Sequence, residues 1–215
     1  MAVVRGVKEK VHLPLYDARK FDSSRPIREQ ITGNLIRFFV DVTSKTKLET
    51  NQQESGVLSH FNTYEARALR VVVQPLPRLV EGGFSPPADP DVARDNGNFL
   101  ANFIYNSVTT FIVGEKIMIQ APTWMFPSGA GESLGERIGH GLPSPEATFR
   151  FAEPIHVDSQ QNFRVEIEFP NGTSVLGDAQ PLSRSDSSPG RAPTIIPTET
   201  RIWVLIDGYI TRDVQ

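Results

Sequence analysis

The sequence predicts an all-β protein, a sandwich or barrel of seven or eight strands. Two observations predict it. Short runs of alternating or wholly apolar residues recur along the 215-residue chain, and long stretches rich in Pro, Gly and Ser separate them. In the clearest run, Phe163, Val165, Ile167 and Phe169 alternate with Arg164, Glu166 and Glu168, the period of a strand with one face in a core. No catalytic motif interrupts the pattern.

Each element is justified in turn. Residues 1–33 read as an N-terminal arm, mixed in charge, broken by Pro14 and Pro26, and without a sustained period. A short helical turn is expected from Ile27 to Thr32, opened by Pro26 and closed by Gly33. The sandwich domain is expected to span 34–215. Its first strand runs Leu35 to Val42, with Ile36, Phe38, Val40 and Val42 on one face. Tyr64 to Val73 alternates and then becomes wholly apolar, as in a strand that begins at an edge and finishes buried; Pro75 and Pro77 stop it. Phe99 and Phe103 suggest a short helix over 98–105. Ser107 to Gln120 reads as a hairpin turning at Gly114-Glu115. Pro154 to Val157 is a short strand, and Trp203 is expected in the core of the last strand, Ile202 to Ile206. Asp207-Gly208 after it signals a second hairpin, with a continuous strand kinked at Gly208 as the competing reading.

Composition removes several classes of function. The formal charge of −3 and isoelectric point near 5.8 give no global drive toward nucleic acid. The arm differs, with seven basic side chains against four acidic ones, a balance suited to phosphate or lipid headgroups or simply to a solvated, partner-bound terminus. Without cysteine there is no disulfide or thiolate chemistry. No apolar stretch reaches the ~20 residues that span a bilayer, and Met1 to Lys8 lacks the apolar core of a signal peptide. The chain is therefore expected to be made and kept on the cytoplasmic side.

Catalytic, cofactor and metal residues are expected to be absent. His12, His60, His140 and His156 form no HxH or HxxxH pair. Asp89, Asp91 and Asp95 miss the spacing of a calcium loop, and the glycine run from Gly129 to Gly135 lacks the Gly-Lys-Ser/Thr ending of a phosphate loop. No G-x-S-x-G occurs. A barrel enzyme assembled from scattered histidines and carboxylates remains as a minor alternative. The long loops instead hold apolar side chains where polar ones are usual: Phe84; Trp124, Met125 and Phe126; Ile195 and Ile196. These six are the candidate interface residues. Trp124 and Phe126 are equally suited to stacking on a sugar ring or base, or to folding back over their own core.

The order of elements also resembles a known family. A basic arm leads into Phe38-Phe-Val-Asp-Val42, then Glu49-Thr-Asn51, Gly56-Val-Leu58 and Tyr64-Glu-Ala-Arg-Ala-Leu-Arg-Val71. Pro122 to Pro127 with Gly129-Ala-Gly131, Pro154-Ile-His-Val157, Gln161-Asn-Phe-Arg-Val-Glu-Ile167 and Arg201-Ile-Trp-Val-Leu-Ile-Asp-Gly208 follow. Across residues 34–210 this pattern resembles small jelly-roll capsid proteins of tailless icosahedral bacteriophages, including those with internal membranes. The resemblance implies a single jelly-roll β-sandwich of about eight strands, located in the virion. Its partners would be itself and other capsid proteins, in homo- or hetero-oligomeric capsomers, with the basic arm able to meet an underlying membrane or the genome. A different class of function, a carbohydrate-binding jelly-roll module, would use Trp124 and Phe126 as a stacking platform.

Overall fold

The computed structural model describes residues 8–22, 25–74, 99–129, 144–177, 179, 184–186, 194–196 and 200–213. Two antiparallel sheets face each other across one apolar core. β1 (Lys8–His12) and β2 (Leu15–Phe21) lie end to end on the outer side of β11 (Thr200–Asp213), with Lys8 opposite Asp213 and Leu15 opposite Ile206. Between them Leu13 N donates to Gly208 O at 3.1 Å. Pro14, which has no N–H to give, falls in this outer strand, the place in a sheet that tolerates it. β1 and β2 thus behave as one interrupted strand.

β4 (Thr63–Val73) pairs the other side of β11, and β7 (Phe149–Val157) pairs β4, completing the first sheet. The second sheet runs β3 (Leu35–Phe38), β8 (Phe163–Glu168), β5 (Val108–Val113), β6 (Lys116–Pro122). β9 (Arg184–Asp186) and β10 (Thr194–Ile196) form a separate antiparallel pair. Count β1 and β2 as one strand and leave the separate pair aside. In chain order the first sheet then holds strands 1, 8, 3 and 6, and the second holds 2, 7, 4 and 5. Phe21, Tyr64, Leu69 and Val204 from the first sheet meet Phe38, Phe111, Val165 and Ile167 from the second.

Several expectations stand. Phe163, Val165, Ile167 and Phe169 are all buried. The β5–β6 hairpin turns at Gly114-Glu115, with Gly114 at φ 62°, the positive φ that a two-residue hairpin places on its first central glycine. Residues 99–105 are helical, with Phe99 and Phe103 buried. Pro26 opens a 3-10 turn over Ile27–Gln30.

Others are corrected. Within the expected arm, Lys8–His12 and Leu15–Phe21 are strand, and Leu15, Ala18, Phe21 and Ile27 belong to the core. Its period was hidden because Asp17, fully buried, stands where alternation asks for an apolar side chain. The first strand ends at Phe38, since Phe39 adopts φ 68°; Phe39 is buried and Val40 is turned out to solvent. β4 is flanked by β11 and β7 from its start rather than beginning at an edge. Trp203 is half-buried on the outer face of its sheet, donating Nε1–H to Leu48 O at 3.0 Å. Asp207-Gly208 makes no hairpin; the competing reading holds, since β11 continues through it, with a register shift against β4.

Candidate interface along the free edge of the second sheet

β6 has β5 on one side and no strand on the other among the described residues. Five of its seven residues are exposed, including Ile117 at 59% and Met118 at 42%. Opposite β5, Phe111 pairs with Ile119 and Ile112 with Ile117, so Met118 is the extra residue of a bulge. A bulge leaves one residue unpaired and re-aims its neighbours. Lys116 is the one charged side chain on this strand. An exposed apolar edge of this kind is a template for pairing with another chain.

The edge continues into a 3-10 turn, Thr123–Met125. A buried cluster of hydroxyls fixes this turn. Ser107 Oγ donates to Phe103 O and lies 2.7 Å from Thr123 Oγ1; Thr109 Oγ1 lies 2.9 Å from the same atom, and Thr123 N donates to Ser107 O. Thr123 is thereby drawn inward while Trp124, the next residue, is 54% exposed. The same bonds dock the turn against the end of the 99–105 helix, whose outward residues include Leu100 and Tyr105. Ile117, Met118 and Trp124 thus supply exposed apolar surface along β6 and the turn that follows it.

Of the six expected interface residues, Trp124 is exposed as an anchor would be, and Met125 is partly buried against the core. Phe126 is not at the surface: it is fully buried, edge-on to Phe149 with ring centroids 5.1 Å apart. It therefore cannot share a stacking platform with Trp124. Ile195 and Ile196 lie in β10, and their side chains, like the whole of Phe84, fall outside the described residues. The exposure of Ile117 and Met118 was missed. The only signal for it was Lys116-Ile-Met-Ile-Gln120 itself, three apolar residues in a row beside a tight turn, a pattern that a buried strand shares.

Among the described residues no cluster of His, Asp or Glu is arranged to hold a metal, and no helix is long and apolar enough to cross a membrane. The most strongly buried charge lies elsewhere. Asp17 receives Phe39 N–H at 2.7 Å and Lys45 Nζ at 2.7 and 2.8 Å, and burial pushes its carboxyl above the usual range despite these partners. That cluster holds Phe39 in its left-handed conformation and ties the 43–50 loop to β2, a structural role. No protein-family model, curated protein or solved structure matches the chain.

Proposed function

We propose that the protein is a non-enzymatic structural subunit of a virion shell, a jelly roll that assembles with copies of itself or with other coat chains. The observation that carries the reading is the strand order. Sheets of strands 1-8-3-6 and 2-7-4-5 are what two interleaved Greek keys produce, an architecture common in viral capsid domains. The resemblance of residues 34–210 to small jelly-roll coat proteins of tailless icosahedral bacteriophages points the same way. The β6 edge, unpaired among the described residues, with Ile117 and Met118 exposed on it and Trp124 in the turn that follows, is the contact surface proposed here. In this reading the subunit is made in the host cytoplasm, needs no cofactor, and uses its basic N-terminal residues toward a neighbour, a membrane or the genome.

The carbohydrate-module reading loses its platform with the burial of Phe126. The experiment that tests assembly places charge on the edge. Ile117→Lys and Met118→Lys together should leave the melting temperature nearly unchanged, because both side chains are solvated in the monomer, while suppressing higher-order species in sedimentation velocity. An unaltered distribution of assemblies in the double variant would refute the β6 contact.

A further inference from the structure

We infer that the outer face of the first sheet holds a binding site for a phosphate group, inorganic or a monoester, in the cavity opened where β7 leaves β4. This does not depend on the assembly reading. On β4 one residue, Arg67, separates Ala66 from Ala68; on β7 four residues, 151–154, separate their partners Arg150 and Ile155. The surplus residues of β7 have no partners on β4, and Phe151, Ala152 and Pro154 among them line the cavity. Its volume is about 760 Å³, within the ~300–1,000 Å³ usual for small-ligand sites.

The charge of the lining is one-sided. Among the described residues, Arg67, Arg70 and Arg150 line the cavity against one carboxylate, Asp207; Glu153, in the same detour of β7, does not line it. Asp207 is already neutralised by Arg70, whose Nη2 donates at 2.9 Å and whose Nε lies 2.7 Å from the second oxygen. That Nε–H is off the line to the oxygen and makes no hydrogen bond. Arg70 is further fixed by a bond to Ser128 O at 3.3 Å. Arg67 is held by Glu65 and lies 5.2 Å above the Tyr209 ring. Arg150, opposite Ala68 and exposed, has no ion pair among the described residues. Two guanidiniums are thus pre-positioned and the third has no counter-ion among the described residues, so little ordering is needed on binding.

Three guanidiniums converging from several directions suit a tetrahedral dianion better than a carboxylate, which one guanidinium fork satisfies. Ring stacking is not what the cavity offers, because Lys10 lies 5.0 Å over the same Tyr209 ring that Arg67 covers. The recognised group is the anion.

The test titrates the full chain with inorganic phosphate by calorimetry at constant ionic strength, and separately floats it with vesicles of phosphatidylcholine alone or with phosphatidic acid. The Arg150→Gln variant is run alongside, its melting temperature confirming the fold. Saturable phosphate binding, weakened at least tenfold in Arg150→Gln, supports the site. If binding appears only on phosphatidic acid vesicles and is lost in Arg150→Gln, the site takes its phosphate from a lipid headgroup. Absence of binding in both arms, or binding that Arg150→Gln leaves unchanged, overturns the proposal; neither result bears on the β6 contact.

Discussion

Asp17 and Gly208 each hold a position that long-range contacts explain and neighbouring sequence does not. Asp17 is a fully buried carboxylate with Lys45 as its counter-ion. Lys45→Met should cost about 3–5 kcal/mol at neutral pH, because it leaves the buried charge uncompensated. Its pH dependence has a definite sign. Burial already raises the folded-state pKa of Asp17, and losing Lys45 removes a contribution that lowers it. Between the unfolded and folded values the native state holds a proton that the unfolded chain does not, so acidification favours the fold. In urea melts, the stability gap between Lys45→Met and the wild type should narrow as pH falls from 7 toward the unfolded carboxylate range near ~4. A constant or widening gap would show that Asp17 does not feel its burial. At Gly208 an added Cβ would lie 2.1 Å from Glu65 O and 2.9 Å from the Tyr64 hydroxyl. That hydroxyl bonds Leu13 O and Ile206 O, so it is not free to yield. Gly208→Ala should therefore destabilise by at least the ~1–3 kcal/mol of ordinary overpacking, read as a lowered urea midpoint at unchanged slope. Asp-Gly between apolar flanks is a hairpin signal in sequence. What requires glycine here is a strand backbone more than 140 positions away, which no local pattern encodes.

Elements were legible where one face is uniformly apolar. β8 alternates without exception, and the β5–β6 hairpin has a glycine at its turn, so both were readable. β2 was not, because Leu15-Tyr-Asp-Ala-Arg-Lys-Phe21 puts a carboxylate on its core face and Pro14 just before it. β4 was half legible. The bulge at Arg67 shifts its inward residues from Tyr64 and Ala66 to Leu69, Val71 and Val73, so its alternation changes phase midway. The edge character of β6 and the arginine cavity were illegible for the same reason: both depend on which strands become neighbours. Matched truncations test the element assignments. Phe169→Ala and Phe21→Ala remove fully buried rings from opposite ends of the chain. Each should cost about 3–5 kcal/mol in chemical denaturation. A loss below ~1 kcal/mol at Phe21, the size of a surface change, would return residues 8–21 to the status of an arm.

The whole molecule presents a sandwich whose two sheets are closed differently. On the first sheet, the outer strand formed by β1 and β2 is partly covered, with Asp17 bridging to Thr50 and the Lys10–Glu65 and Arg212–Glu9 ion pairs along its face. On the second, β6 is the last strand among the described residues, with exposed Ile117 and Met118 and a single lysine. Charge is the usual device that keeps such an edge solitary, and here it is sparse. The central claim is that this edge is a subunit contact. Its most direct measurement is the mass of the full chain by sedimentation equilibrium across a hundredfold range of concentration, beside the Ile117→Lys, Met118→Lys double variant. The account predicts that the wild-type mass rises with concentration above that of the 23.9 kDa chain while the variant stays monomeric. A wild-type chain that remains strictly monomeric at the highest concentration would contradict it.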